Sequence, residues 1–368
     1  MARILLISPY HALSHSLWTQ GLMDNLRGYE WIFVSLPPRS FSWRVRGNAL
    51  SLARHPALVD GKPEFDLLIA TSMLDLSSVR SFIPTLRSVP AVVYFHENQF
   101  SYPTRTKDLA DVQLLSIKTA LSADEIAFNS KWNRESFHAG AEQLLGRMPD
   151  DSIAWVGPAL TAKSTVLPVP LPNDCYPVSN HRAGSSSQPL RLLWNHRWEH
   201  DKGAEQFECF LQELERRAIA FELSLCGQRF RQRPPALERI GANFASQIKH
   251  NGFVESRSDY LSLLEYSDCV VSCSAHEFQG LAVLEAMAHG CLPLVPDRLS
   301  YREFVPSTHR YASTPEDPTA EVDAMVAMLG EMLPRRDGTK NRFSDLLAKL
   351  SWQALKPSYE RLIERWLV

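Results

Sequence analysis

The chain has 368 residues, 45% of them apolar and 22% charged, with a formal net charge of −2. That length exceeds one ordinary hydrophobic core and suits two domains of roughly 150–200 residues each. The near-neutral balance excludes a broad basic nucleic-acid surface, so any such contact must come from a local patch.

Residues 4–7 read as a short buried strand, followed by a loop and a helix that starts near Ser14 or Ser16 and runs to Leu26. Further strands are expected at 31–36, ending at Pro37-Pro38, and at 66–70, 91–95, 125–128 and 164–169. Helical patterns lie between several of them, as at 108–123. Such alternation implies a parallel sheet with crossover helices. Pro168, Pro170, Pro172 and Pro177 then lead into a Gly/Ser-rich run at 180–187, which cannot continue a helix or a central strand. Alternation restarts with strands at 190–195, 221–226, 269–273 and 291–295 and helices at 203–217, 258–266 and 281–289. The expected architecture is α/β: two Rossmann-like, doubly wound domains at 1–175 and 190–350, joined by a linker at 176–189. In residues 351–368, Trp352, Leu355, Tyr359, Leu362, Ile363 and Trp366 recur near helical spacing. Pro357 is expected to start or kink that helix, and its two tryptophans to dock it back on the N-terminal domain.

No apolar run reaches spanning length, and the one at 4–7 is too short for a signal-peptide core. A cytoplasmic protein without a membrane partner is the expectation. None of the six cysteines forms a Cys-x-x-Cys pair, and most lie in apolar runs, as small buried hydrophobes do.

In open parallel sheets, ligands bind beyond the C-terminal ends of strands, so polar residues just after each strand are the candidates. After the 269–273 strand, Glu277 falls in a loop, Gly280 opens a helix and Glu285 lies about one turn inside it. Free N–H groups and the positive dipole end at Gly280, Leu281 and Ala282 suit a phosphate. The two carboxylates suit a sugar hydroxyl and a ribose hydroxyl on either side. After the 190–195 strand, Asn195 is followed by Arg197 and Lys202, two cations without an acid that must neutralise both. Fixed cations here would favour departure of a diphosphate. After the 91–95 strand, His96, Glu97 and Asn98 form a polar cluster in the first domain. A solvated mixed-charge loop with Glu199 and Asp201 as partners is the plain structural alternative for the second site.

No phosphate-loop motif, Gly-x-Gly-x-x-Gly, Asp-x-Asp or His-Glu-x-x-His occurs, so neither a catalytic metal nor a bound cofactor is expected. Arg39, Arg44, Arg46 and Arg54 fall in a stretch with no acid between Trp31 and Val59. This is the local basic patch, and Trp43 within it offers a stacking surface.

Together these sites resemble the retaining glycosyltransferases of family 4, which have the GT-B fold, over nearly the whole chain. Glu277 and Glu285 are similar to that family's signature, and Arg197 with Lys202 to its diphosphate pair. The segments 36–46, 94–103, 128–137 and 194–202 resemble more narrowly the tRNA-queuosine α-mannosyltransferases. The resemblance implies transfer of mannose from GDP-mannose, as co-substrate, to the cyclopentene diol of queuosine in tRNA, with anomeric configuration kept. Carried over by position, it implies that Arg197 and Lys202 hold the diphosphate, Glu277 touches the mannose and Glu285 binds the ribose. The backbone at Gly280, Leu281 and Ala282 meets the phosphates, and His96 sits by the reacting sugar. Phe253 and Val254 are expected near the donor base. Arg39, Trp43, Arg44, Arg46, Glu97 and Asn98 are expected on the acceptor side. The first loop, at 10–16, lacks the glycines common in family 4, which leaves His15 or Ser16 to take part in donor binding. A related enzyme with a lipid or polysaccharide acceptor, or an inactive nucleotide-sugar or RNA-binding module, are the competing readings. The first should carry a cationic amphipathic helix, which the acidic 108–123 segment does not supply.

Overall fold

The computed structural model describes residues 1–61, 63–100, 109–149, 153–176, 188–229, 233–335 and 343–367. The core of the expected linker, 177–187, lies outside them, as do Asp108 and residues 101–103 of one resemblance segment. The chain divides into two compact units, Met1–Pro172 with Leu350–Val368, and Asn173–Lys349.

The first unit runs β1 (Arg3–Ser8), α1 (Leu13–Asn25), β2 (Glu30–Ser35), α2 (Phe41–Leu52), α3 (Pro56–Val59), β3 (Leu67–Thr71), α4 (Leu76–Phe82), β4 (Ala91–Phe95), α5 (Leu109–Ser122), β5 (Glu125–Phe128), α6 (Lys131–Leu145), α7 (Val156–Ala162) and β6 (Ser164–Val166). Its sheet has the order β2-β1-β3-β4-β5-β6, every pair parallel. β3, β4 and β5 are buried at every position, the mark of a sheet covered on both faces. The strand expected to reach residue 169 ends at Val166. Leu167 N–H makes one more bond, to Phe128 O, and Pro168 then has no N–H to offer.

The basic stretch after β2 is a helix rather than a loop. On α2, Val45, Asn48, Ala49 and Leu52 face inward, while Ser42, Trp43, Arg46 and Leu50 are exposed. Asn48 fixes this rotation. Its buried amide donates to the carbonyl of Met73 at 2.9 Å and accepts from the N–H of Asp75 at 3.0 Å.

The second unit runs β7 (Leu190–Trp194), α8 (Ala204–Arg216), β8 (Phe221–Cys226), α9 (Pro235–Asn243), β9 (Ile248–Gly252), α10 (Arg257–Tyr266), β10 (Cys269–Val271), α11 (Leu281–Ala288), β11 (Leu292–Pro296), α12 (Tyr301–Phe304), β12 (Arg310–Tyr311), α13 (Pro318–Met332) and α14 (Ser344–Ala348). Its parallel sheet has the order β12-β11-β10-β7-β8-β9. The two edge strands escape the apolar-run criterion. β9 reads Ile-Lys-His-Asn-Gly with only Gly252 buried, and β12 is two residues long.

The chain then returns to the first unit as α15 (Trp352–Glu364). Ser351 starts this helix by accepting the N–H of Ala354 at 3.1 Å, so Pro357 lies inside it and does not set its beginning. Trp352 lies flat on Gly21 of α1, where an added Cβ would sit 2.4 Å from the indole. At the far end, Arg365 and Trp366 both bond the buried carboxylate of Glu125, each at 2.9 Å. No described helix is long and apolar enough to cross a membrane. All six cysteines are free thiols, and Cys209 is exposed, unlike the other five.

Candidate active site

In the second unit, β7 and β10 are adjacent, so their C-terminal loops meet. The loop after β7 closes through Gly203, at φ 69°, where a Cβ would lie 2.2 Å from the carbonyl oxygen of Cys273. That close approach carries buried Lys202 against the loop after β10. Its ammonium donates to the carbonyl of His276 at 2.8 Å and lies 3.3 Å from Oε2 of Glu277 and 3.1 Å from Oδ2 of Asp201. Burial works against the Lys202 charge, but Glu277 and Asp201 outweigh it and raise its pKa. Glu277 is the converse case. Burial pushes its pKa up, while Lys202, His196 and the N–H of Phe278 overcome that and hold it down at about 2.

The other oxygen of Glu277 accepts from the N–H groups of Phe278, at 3.1 Å, and Gly280, at 3.2 Å. Gly280 has φ 78°, and a Cβ there would lie 2.9 Å from the Tyr301 ring. Glycine is therefore favoured on both counts, and no side chain caps α11. The first-turn amides of α11, at Leu281, Ala282 and Val283, have no acceptor within the helix. Two buried neutral imidazoles line this region. Burial first, then the Lys202 charge, bring His196 and His276 down to about 4.

The cations take the local acids of the plain alternative, Glu199 and Asp201, and Lys202 takes Glu277 besides. Arg197 pairs with Glu199 at 3.0 Å, and Lys202 with Asp201 and Glu277. Arg197 is still well exposed, whereas Lys202 is buried. Glu285 lies one turn inside α11, buried, with Oε2 at 2.9 Å from Arg257. Burial raises its pKa, and Arg257 opposes the rise. Arg257 also takes both carboxylate oxygens of Asp174, at 2.7 and 2.9 Å. Asn195 donates to the carbonyl of Ala282 at 2.8 Å, which orients its amide and leaves Oδ1 buried without a protein partner. Phe253 is 49% exposed directly beyond β9, with Val254 partly covered behind it.

In the first unit, His96 follows β4. Its ring stacks on His15 at 4.4 Å and meets the edge of Trp18 at 4.8 Å. Nε2 has no protein partner, and burial, with His15 second, holds the pKa well below 6.5. His15 gives its Nδ1 proton to the carbonyl of Tyr10 at 2.8 Å, since that oxygen can only accept. Ser16 is half-buried in the same first turn of α1. Asn98, expected on the acceptor side, is committed inward. Its amide nitrogen donates to Asn133 and Ser136, and its oxygen accepts from the N–H of Phe100. Glu97 is half-buried, with its carbonyl taking the Ser72 hydroxyl at 3.3 Å. Trp43 is 52% exposed and covers Gly47. Arg39, Arg46 and Arg54 are exposed, and Arg44 is half-buried with Nε on the carbonyl of Pro37 at 3.3 Å. The patch is acid-free in sequence but not in space, for Asp111 of α5 approaches Arg46 to 3.9 Å.

Comparison with known proteins decides the family. The profile of the tRNA-queuosine alpha-mannosyltransferase N-terminal region matches residues 3–171, and that of glycosyl transferases group 1 matches 191–331. The tRNA-queuosine alpha-mannosyltransferase of Drosophila melanogaster is 33% identical over 316 residues, covering 84% of this chain and 83% of its own. The chain belongs to the tRNA-queuosine alpha-mannosyltransferase family. The GT-B fold is shared with sucrose-phosphate synthase from Thermosynechococcus elongatus, at a TM-score of 0.73 and 14% identity over 99% of both chains. Anabaena HepE, solved in complex with UDP, has a TM-score of 0.69 at 12% identity over 99% of this chain and all of its own.

Within this glycosyltransferase family, several residues of the two sites escape a motif search. Arg257 joins Glu285 to Asp174, which lies 83 residues before it in sequence, and only the helix-start pattern of Ser256 and Asp259 marks its place. Asn48 and the aromatic neighbours of His96 carry no signal at all in local sequence.

Proposed function

We propose that this protein transfers mannose from GDP-mannose to the cyclopentene diol of queuosine in tRNA, in the cytoplasm, with the anomeric configuration kept. The observation that carries the reading is the pair of buried Lys202 and half-buried Glu277 at the uncapped start of α11. Glu277 accepts from two backbone N–H groups and one ammonium, which sets its carboxylate rigidly and leaves about one acceptor site open. Ionised at neutral pH, it suits a mannose hydroxyl. The first-turn amides of α11, with Lys202 and exposed Arg197, suit the diphosphate. As the bond from the anomeric carbon to the diphosphate oxygen breaks, these groups stabilise the charge that collects on the leaving group. A bond forms from that carbon to the diol oxygen, and the diol proton leaves with the diphosphate. The unpartnered Oδ1 of Asn195 and the Arg257-held carboxylate of Glu285 suit hydroxyl donors of the nucleotide.

On the first unit, His96 is neutral and offers an unpartnered Nε2 to the reacting sugar or the diol. The exposed face of α2, with Trp43, Arg46 and nearby Arg39, supports the RNA contact, one ring for stacking and cations for phosphates. The test incubates the protein with queuosine-containing tRNA and GDP-mannose, GDP-glucose or UDP-glucose, then weighs the nucleosides. One hexose is expected on queuosine with GDP-mannose alone. No mass gain with any donor rejects the proposal.

A further inference from the structure

We infer that Tyr359, on the helix that returns to the first unit near the end of the chain, is a positioning residue for His96. The inference rests on the reading of His96 as a group that meets the reacting sugar. The path is short, and its four side chains, Tyr359, Trp18, Tyr94 and His96, are buried. Trp18 Nε1 donates to the Tyr359 hydroxyl at 3.0 Å. That hydroxyl has one proton and gives it to the carbonyl of Pro168, also at 3.0 Å. Tyr94 lies 3.3 Å away, oxygen to oxygen, but its own proton goes to the carbonyl of Leu167 at 2.6 Å. Both hydroxyls are thereby oriented by consecutive carbonyls just beyond β6.

Trp18, pinned at its nitrogen, stacks on Tyr94 at 4.4 Å and turns its edge to His96 at 4.8 Å. His96 meets Tyr94 at 4.8 Å and His15 on its other side at 4.4 Å. The imidazole has rings around it but no hydrogen bond from Nε2 to hold it. Its orientation therefore depends on those rings, and the indole is held by Tyr359. Packing alone does not need the hydroxyl, because a phenylalanine ring would fill the same space. The hydroxyl is the part that fixes the angle of the indole.

The experiment compares Tyr359→Phe with Leu362→Ala, which removes buried bulk from the same helix outside the hydrogen-bonded path. NMR of the His96 ring protons, in the absence of substrate, reads the positioning directly. Transfer kinetics with queuosine-containing tRNA read its consequence. Tyr359→Phe is expected to shift the His96 signals and to lower kcat about tenfold, the scale of one hydrogen bond, with the KM for the sugar nucleotide unchanged. Leu362→Ala is expected to lower the Tm further than Tyr359→Phe while leaving the His96 signals and kcat in place. Unchanged His96 signals in Tyr359→Phe, or equal changes in Leu362→Ala, would overturn the inference. A wild-type protein that transfers no sugar to queuosine overturns the functional reading instead, and the NMR comparison still decides the role of Tyr359.

Discussion

A single ammonium, Lys202 Nζ, lies 3.3 Å from the Glu277 carboxylate and bonds the His276 carbonyl at 2.8 Å, so it fastens two consecutive residues of the loop leading into α11. The ammonium is buried and the carboxylate 20% exposed, and each partner is costly to leave alone. Lys202→Met should destabilise the protein by about 3–5 kcal/mol, since it strands Asp201 and Glu277. Glu277→Gln should cost less, because Asp201 remains on the ammonium. The double variant should be more stable than Lys202→Met, and all three should transfer no sugar. Urea denaturation beside a transfer assay checks both halves.

Acid should weaken the fold before it silences Glu277. His196 and His276 titrate at about 4 in the fold, below their ordinary 6.5. Between those values the unfolded chain binds more protons, so stability is full above about pH 6.5 and falls on the way down to about 4. The slope reaches roughly 1.4 kcal/mol per pH unit for each ring. The share owed to Glu277, depressed from 4.5 to about 2, is lost only over that lower interval. Melting temperature against pH should flatten between 6.5 and 4 in the His196→Gln, His276→Gln double variant. An unchanged slope would refute the assignment.

The two left-handed glycines of the site, Gly203 and Gly280, should respond unequally. Gly203→Ala forces a Cβ to 2.2 Å from a backbone oxygen, which cannot rotate away. Gly280→Ala meets only the Tyr301 ring, at 2.9 Å, and adds about 1–2 kcal/mol for the left-handed backbone. Gly203→Ala should therefore fold poorly, whereas Gly280→Ala should fold and lose affinity for the proposed donor, GDP-mannose. Calorimetry of donor binding, with circular dichroism as the folding control, separates them.

On α2, charge and ring should separate by salt. Arg46→Ala should reduce the salt dependence of tRNA binding by about one phosphate contact, a slope change near 0.9. Trp43→Ala should cost about 1–3 kcal/mol at every salt concentration, as lost stacking does. Asp111→Asn should tighten binding at low salt, because it frees Arg46 from its acid. Fluorescence anisotropy over a salt series measures all three.

The sequence disclosed the fold where physics is local. The buried strand Ala91–Phe95 is an uninterrupted apolar run, and its limits are legible to the residue. Edge strands such as Ile248–Gly252 need little burial and leave little trace. The same division runs through the site. Glu277, Gly280 and Lys202 stand beside strand ends, where ligands are looked for first. Local pairs such as Arg197 with Glu199 are readable, but the distant acid each cation meets is not, because Lys202 and Glu277, or Arg46 and Asp111, are brought together only by strand order and helix rotation. Asn98 shows the opposite error. A polar residue after a strand looks available, yet folding commits all of its amide to Asn133, Ser136 and Phe100.

The return of α15 to the first unit also orders events during synthesis. The second unit, Asn173–Lys349, is one continuous stretch, and every strand of its sheet has been made before α15 emerges from the ribosome. The first unit has its six strands early but waits for the last helix to cover Gly21, Trp18 and Glu125. The unit whose strands are translated earlier is thus completed after the second.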